Sequence, residues 1–484
     1  MSSLRALAGQ TAVYGLSSII GRFAYFLLTP LHTAVLERGE MGINTDIYSW
    51  IAILTVVLTL GMETTYFRYA SKEGLDERVV FRQTFLIMVR AVVIFLALVW
   101  IFRDWVLRAM RYQEHPEYLW LLLLILTGEV LATLPYARLR LKNKAFQFAI
   151  IRLTNIGVNV GLNLYFFLVA PYASARGLSV PVPLNPVLAI FIANGAAVVI
   201  QLILLIPMLR PVVEGRKMAL PMSTVLTFGL PVMLAGLPGI VNEVFDRQLL
   251  KYLLPADTSL ESMGVYASVF RLSVFISLFI QAFRYAAEPF FFKNAADENA
   301  PKLYARVMEV FVLIMAVAVI ALSALLPLIK YFIHSKFWDG LYILPVLFIA
   351  QLLLGVIFNL NIWYKVIEKT HFGIVISLSG AVVNLLVNAA LIPVFGILGA
   401  ALALLASHTV MVCISYALSR KHFPIPYKVS RIFWMIAIAS AASFGLFYTQ
   451  AVSVRVLMAV ASLGVVFTIE KSEIRTLQKT LLRR

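Results

Sequence analysis

Long, nearly unbroken runs of apolar residues constrain this chain more than any other feature. Residues 91–101 and 311–329 are two examples. A run of about 20 apolar residues matches the hydrocarbon thickness of a bilayer. Backbone groups inside a bilayer must bond within the segment or within a closed barrel, and these runs do not alternate as barrel strands do. The pattern predicts an all-α integral membrane protein.

Composition supports this prediction. The chain has 61% hydrophobic and 13% charged residues, whereas soluble domains carry about 25% charged residues. The only cysteine, Cys413, excludes an intramolecular disulfide and a cysteine-based metal site. The first apolar segment is too long for a cleavable signal peptide, and no small-residue cleavage site follows it. We therefore interpret this segment as the first membrane span.

The hydropathy pattern predicts fourteen spans, so nearly the whole chain lies in or beside the bilayer. Their approximate limits are 10–32, 43–64, 83–102, 118–137, 147–170, 186–209, 223–242, 262–283, 307–329, 340–363, 373–392, 397–418, 432–449 and 453–469.

Basic residues are distributed unevenly among the predicted loops. If the N-terminus is cytoplasmic, the cytoplasmic segments hold 27 Lys and Arg residues, the external loops hold nine, and five lie inside spans. Cytoplasmic loops of membrane proteins carry such an excess of basic residues. The split predicts cytoplasmic N- and C-termini in a bacterial plasma (inner) membrane. It also explains the net charge of +17 without nucleic-acid binding.

The predicted loops are short, and none is long enough for a soluble domain. The chain has no GxxxxGK[ST] loop, no metal-ligand spacing and no Ser/His/Asp or Cys/His constellation. These absences argue against an ATP-driven pump and against an enzyme. The sequence predicts no cofactor.

Two halves of the chain resemble each other. The tetrapeptide FRYA occurs at Phe67–Ala70 and at Phe283–Ala286, 216 residues apart, and Asn159 and Asn163 match Asn384 and Asn388 at a spacing of 225. Six spans per repeat imply a parallel duplication about an axis along the membrane normal. Two such bundles with a cleft between them suit alternating access, which favours a transporter. The predicted domains are residues 1–210 (spans 1–6), residues 211–420 (spans 7–12), and residues 421–484 with spans 13 and 14 and a basic cytoplasmic tail.

Arginines inside spans are candidates for substrate contact, because a charge in the bilayer costs several kcal/mol and is usually functional. Arg22 lies about midway along span one, and Arg271 lies in span eight. We expect both to face a cleft and bind an anionic group. Arg68 and Arg284 are expected at cytoplasmic helix ends, where they either bind substrate or reach lipid headgroups.

Acidic and amide residues inside the spans give further candidates. Glu129 is expected to pair with Arg90 and Arg152, or to couple to a cation. The other candidates for cation coupling are Glu63, Glu243 and Asp246, the last two being expected at the end of span seven. Asn159 and Asn163 share one helix face, as do Asn384 and Asn388. Asparagines in this arrangement hold helices together or line a polar cleft.

Several segments resemble the multidrug/oligosaccharidyl-lipid/polysaccharide (MOP) flippase superfamily, and within it the bacterial polysaccharide transporters of the Wzx type. They are Ala8–Thr11, Gly21–Arg22, Tyr48–Trp50, Gly61–Glu63, the first FRYA segment and Gly264–Ala267. The resemblance implies a MATE-like fold of two six-helix lobes plus two C-terminal helices. It also implies a flippase that moves undecaprenyl-diphosphate-linked oligosaccharide repeat units from the inner to the outer leaflet, for surface polysaccharide such as the O-antigen of lipopolysaccharide.

Three alternatives stay open on the sequence alone. A lipid II flippase shares the fold and the lipid carrier. A cation-coupled multidrug efflux transporter usually needs an acid in the core of span one or seven, whereas span one has Arg22. A membrane glycosyltransferase or polymerase would need a large catalytic external loop. The resemblance implies that the protein is a monomer whose partners are the lipid-linked oligosaccharide, membrane lipids and polymerase or ligase machinery.

Overall fold

The computed structural model describes residues 15, 17, 19–181, 183, 185–214, 220–295 and 297–469, and this part of the chain contains helices and no strand. We number the principal helices α1 to α14 in chain order. They are α1 Ile19–Val35, α2 Arg38–Ala70, α3 Glu77–Ile101, α4 Glu117–Leu141, α5 Ala145–Ser174, α6 Pro186–Val212, α7 Met222–Leu253, α8 Ala256–Lys293, α9 Ala300–Ala324, α10 Ser335–Val366, α11 His371–Phe395, α12 Ile397–His422, α13 Val429–Tyr448 and α14 Val452–Ile469.

The predicted all-α membrane architecture is confirmed. Thirteen helices among the described residues are long and apolar enough to cross a membrane, and α1 is a shorter apolar helix. The predicted start of the first span, at residue 10, lies outside the described residues. Helix α7 continues to Leu253, beyond the predicted end of span seven at residue 242. Glu243 and Asp246 therefore lie inside this helix and not at its end, as the sequence suggested.

Two helices of the first part of the chain are interrupted. Helix α1 has a turn at Leu28, two residues before Pro30, because a proline cannot supply the backbone N–H that a continuous helix needs. Helix α2 breaks at Leu60 and Gly61, which both have left-handed backbone conformations with φ of 50° and 67°. Gly61 lies against the backbone of Gly229 on α7, where a Cβ atom would collide with the Gly229 carbonyl. Glycine is therefore required at Gly61 both for conformation and for close packing.

The chain forms two compact units, residues Met1–Val244 (unit 1) and Phe245–Arg484 (unit 2). In unit 1, α6 packs on both α4 and α5, and α4 also packs on α2. In unit 2, α12 packs on both α10 and α11. The domain limits near residues 210 and 420 rest on the sequence repeat and stay a prediction.

The internal repeat extends to the backbone of the turn after α4. Asn143 and Glu368, 225 residues apart, both have positive φ, of 55° and 58°. The next amide closes the same bond in both turns: Lys144 N donates to Leu139 O at 2.9 Å, and Lys369 N donates to Tyr364 O at 2.8 Å. These turns follow α4 and α10, so the same hairpin is built twice.

An ion pair also recurs at the spacing of 225. On α2 and α4, Arg140 pairs with Glu63. On α8 and α10, Lys365 Nζ lies 2.5 Å from Glu288 Oε1. The paired residues are 225 apart in both members, so the spacing relates side-chain contacts as well as backbone.

The two FRYA segments do not share this register. Arg68 lies three residues before Ser71, which caps its helix, whereas Arg284 lies ten residues before the corresponding cap, Asn294. The difference of seven residues moves Arg284 about 10 Å farther from its helix end. The prediction that Arg284 lies at a helix end is wrong, because α8 continues for more than two turns beyond it.

Helices α13 and α14 are fixed to unit 2 by one buried arginine. Arg455 on α14 donates to Leu446 O at 2.6 Å and Thr449 O at 2.8 Å, which belong to the end of α13. It also donates to Ser323 O at 2.6 Å, at the end of α9. The last carbonyls of a helix have no partner within the helix and carry its negative dipole end. A single guanidinium thus caps two helices and joins them to a third.

Candidate functional site

The two arginines predicted to bind an anion lie in different units. Arg22 is on α1, and its side chain is exposed. Arg271 is on α8 and is half-buried. Each also interacts with neighbouring protein groups. An arginine left in hydrocarbon is costly, so an accessible guanidinium inside a span needs water, a headgroup or an anionic ligand beside it.

The arginines of the two FRYA segments lie over aromatic rings. The guanidinium carbon of Arg68 is 4.2 Å from the centre of the Phe228 ring on α7. That of Arg284 is 4.1 Å from the centre of the Phe358 ring on α10. A cation over an aromatic face gains about 0.5–2 kcal/mol. These stacks orient both guanidinium groups and leave their N–H donors available for other contacts.

The acidic candidates differ in their surroundings. Glu63 is paired with Arg140, and Asp246 is buried and accepts a hydrogen bond from the Tyr266 hydroxyl. Glu243 is exposed on α7. Two of these three carboxylates thus already have a protein partner, and Glu243 is the accessible one.

The paired asparagines are buried in helix packing. In α5, Asn163 Nδ2 donates to Asn159 O and to Asn159 Oδ1, both at 2.8 Å. In α11, Asn388 Nδ2 makes the same two bonds to Asn384, at 2.8 and 2.9 Å. In unit 1 the pair gains a bond to a second helix, because His32 Nε2 lies 2.8 Å from Asn163 Oδ1. All four asparagine side chains are at most 4% exposed, so they hold helices together and do not line an open surface.

Glu129 lies on α4, with Arg152 of α5 within range of electrostatic attraction. Arg90, the other predicted partner, is exposed on α3, so its predicted pairing with Glu129 is wrong. Around Glu129 and Arg152 the fold brings together polar residues that the sequence reasoning did not select. They are Tyr25 on α1, Tyr136 on α4, Asn155 on α5 and Gln201 on α6. Asn155 is four residues before Asn159, and this spacing along one helix face was the only available signal.

Another polar cluster missed by sequence reasoning holds α2, α3 and α4 together. Arg138 Nε donates to Glu77 Oε1 at 2.8 Å, and its Nη1 donates to Met208 O at 2.6 Å. Tyr66 donates to the same carboxylate at 2.6 Å, and Lys142 Nζ lies 3.3 Å from it. Among the described residues there is no group of three or more His, Cys, Asp or Glu side chains that could hold a metal ion. The polar chemistry of unit 1 is therefore built from arginine, amide and tyrosine groups.

Comparisons with solved structures support the fold. The chain superimposes on the lipid II flippase MurJ in its inward closed conformation with a TM-score of 0.68 and 12% identity, over 96% of this chain and 99% of that one. It also resembles a multidrug resistance MATE family transporter of the MOP superfamily in its inward-facing conformation, with a TM-score of 0.59 and 13% identity, over 88% and 95% of the two chains. A third similar structure is the MATE multidrug transporter DinF-BH, with a TM-score of 0.56 and 17% identity, over 86% and 96%.

At such low identities these likenesses establish the fold alone, and they confirm the predicted MATE-like architecture. No curated protein matches the chain in sequence. Residues 7–295, more than half of the chain, match the family described as "Polysaccharide biosynthesis protein". The matches agree with the prediction of a transport protein and not an enzyme. The chain belongs to the polysaccharide biosynthesis protein family, and it has the fold of the MOP superfamily of flippases and transporters.

Proposed function

We propose that this protein is a flippase that moves undecaprenyl-diphosphate-linked oligosaccharide repeat units across the bacterial plasma membrane for surface polysaccharide synthesis, such as O-antigen of lipopolysaccharide. The family match supplies the link to polysaccharide. The observation that carries the mechanism is an accessible arginine, Arg22, inside an otherwise apolar span. A diphosphate that crosses the bilayer needs cationic partners, and arginine binds phosphate oxygens through charge-assisted, bidentate hydrogen bonds.

In this proposal Arg22 and Arg271 bind the diphosphate during transport. Arg68 and Arg284 bind it on its way to them, with their guanidinium groups oriented by Phe228 and Phe358. We propose alternating access as the mechanism and Glu243, the accessible acid, as the residue that couples transport to a cation. The protein acts as a monomer with both termini in the cytoplasm, and it delivers its product to polymerase or ligase machinery.

Lipid II is the second candidate substrate, because MurJ shares the fold. Both substrates carry a diphosphate, so the arginines do not separate them, and the family match favours the repeat unit. Efflux of cationic drugs is disfavoured by charge. Glu63 is paired with Arg140, Asp246 is bonded to Tyr266, and α1 carries an arginine and no acid in its described part.

The test is deletion of the gene, with measurement of surface polysaccharide and of lipid-linked repeat units in the inner leaflet. Complementation uses wild type, Arg22→Ala, Arg271→Ala and a matched control, Arg176→Ala. Arg176 lies outside the spans and stacks on Tyr172 at 4.1 Å. We expect wild type and Arg176→Ala to restore polysaccharide, and the other two variants to leave the intermediate accumulated at normal expression.

Unchanged polysaccharide in the deletion strain would overturn the proposed substrate. Loss of cell-wall precursor export would indicate lipid II instead, and raised sensitivity to cationic drugs would indicate efflux. If both arginine variants complement fully, the proposed diphosphate contacts are wrong even where the substrate is right.

A further inference from the structure

Unit 1 contains a polar cluster in which four helices meet, away from the diphosphate-binding arginines of the proposed function. Helices α1, α4, α5 and α6 each contribute at least one side chain. The members are Tyr25, Glu129, Tyr136, Arg152, Asn155 and Gln201.

Two amide groups of this cluster are only half satisfied. The Tyr25 hydroxyl donates to Asn155 Oδ1 at 3.4 Å, and the Tyr136 hydroxyl donates to Gln201 Oε1 at 3.1 Å. The other ends of these amides, Asn155 Nδ2 and Gln201 Nε2, are buried and have no partner among the described residues. Asn155 is 7% exposed and Gln201 is 1% exposed. An unpaired buried donor is unfavourable, so both N–H groups call for an acceptor that the protein does not supply.

The charged members of the cluster attract each other without direct contact. Glu129 and Arg152 interact electrostatically, yet in the described part of the chain neither forms an ion pair. Two opposite charges inside a membrane span normally close on each other or on water, because each is costly in hydrocarbon. The separation leaves space for ligand atoms that accept from Arg152 and donate to Glu129. The ring of Tyr25, 41% exposed, marks the accessible side of the cluster.

Unit 2 shows that the fold does not require these groups. At the repeat spacing of 225, Glu129, Arg152 and Asn155 correspond to Leu354, Ser377 and Gly380. The carbonyl of Gly380 accepts a hydrogen bond from Ser407 Oγ on α12 at 2.9 Å, so small residues bring these helices together directly. Since the surrounding hairpin is the same in both units, the charges and amides of unit 1 are an addition to a framework that is stable without them.

We infer that this cluster is a saccharide-binding site, which recognises the hydroxyl and acetamido groups of the sugar next to the diphosphate. Sugar hydroxyls both donate and accept, and the cluster offers a carboxylate acceptor together with guanidinium and amide donors. A simple cation is repelled by Arg152 and a simple anion by Glu129, whereas a neutral polyhydroxyl ligand satisfies both. This inference rests on the proposed function, because it assigns the sugar end of the same substrate.

The experiment measures binding to the purified full chain in lipid nanodiscs with three probes. The first is undecaprenyl diphosphate, the second is the same carrier bearing one N-acetylhexosamine, and the third is the free disaccharide of N-acetylglucosamine. Variants are Asn155→Leu, Gln201→Leu and Glu129→Gln, with Ser377→Ala at the position corresponding to Arg152 as the control. Thermal unfolding of each variant establishes that it is folded.

We expect the wild type and Ser377→Ala to bind the sugar-bearing carrier about tenfold more tightly than the bare carrier, which corresponds to about 1.4 kcal/mol. In the three cluster variants the two carriers should bind equally, with the affinity for the bare carrier unchanged. Arg22→Ala should weaken both carriers together.

Equal binding of the two carriers by the wild type would overturn the saccharide site and leave the proposed function intact. Binding of the disaccharide alone, lost in Gln201→Leu, would support the site and count against the lipid-linked substrate. A sugar preference that survives in all three variants would place recognition elsewhere and refute the inference.

Discussion

The seam of α4, α5 and α6 in unit 1 and the seam of α10, α11 and α12 in unit 2 have the same framework and different chemistry. Both begin with the same left-handed turn, at Asn143 and Glu368, and both carry a bonded asparagine pair. Unit 1 then places Glu129 and Arg152 where unit 2 has Leu354 and Ser377. The comparison teaches that framework and specialised groups can be separated within one chain, because the repeat supplies an internal control.

The two units also differ in their additions and breaks. Unit 2 carries α13 and α14, which Arg455 attaches. Unit 1 has a broken α2, whereas the corresponding helix of unit 2, α8, is helical throughout Ala256–Lys293. Each difference depends on one or two residues, so single substitutions test it.

The largest effect is expected at the anchor that only unit 2 possesses. Arg455→Met removes a guanidinium that donates to carbonyls at the ends of α9 and α13, and it leaves those buried oxygens unpaired. Hydrogen bonds to charged groups contribute about 1.5–3 kcal/mol each, so we expect a total loss of about 3–5 kcal/mol. The measurement is thermal unfolding in detergent. The matched control is Arg420→Met, which alters an exposed arginine near Tyr416. Similar unfolding temperatures for the two variants would contradict the anchoring role.

An intermediate effect is expected at the break that only unit 1 possesses. Gly61→Ala puts a Cβ atom at positive φ and against the Gly229 carbonyl, so we expect a loss of about 1–3 kcal/mol. The control is Gly157→Ala in α5, where nothing lies within 4 Å of an added Cβ. This substitution should be neutral or stabilise by up to about 1 kcal/mol, since alanine favours helix. If Gly61→Ala unfolds at the wild-type temperature, α2 does not need its break.

The smallest effect is expected from the asparagine pairs. Asn163→Ala removes two bonds within α5 and the bond to His32, whereas Asn388→Ala removes only the equivalent pair within α11. Interhelical hydrogen bonds in membranes contribute about 0.6–1.7 kcal/mol, so Asn163→Ala should be the more destabilising variant by about 1 kcal/mol. Thermal unfolding of the two variants side by side measures this difference. Equal losses would mean that the His32 contact adds no stability.

Features that depend on local sequence were predictable. Apolar runs located thirteen helices that can span a membrane, since twenty consecutive apolar residues leave few alternatives. Asn159, Asn163, Asn384 and Asn388 were matched correctly between the repeats, because their spacing within a helix is local. The FRYA match was misleading, since four identical residues carry no information about how far each helix continues. Arg284 consequently lies deeper than expected.

The sequence by itself determined the class of the protein, its helices and its duplicated plan, because solvent chemistry and helix periodicity act on contiguous residues. Only the tertiary structure decided which polar groups meet. Asn155 Nδ2 and Gln201 Nε2 come to the same cluster from helices whose residues are 46 positions apart, and Arg455 caps helices that end 131 and 6 residues before it. A side-chain contact of this kind depends on helix rotation and crossing, which the packing of whole helix faces sets and no short segment encodes.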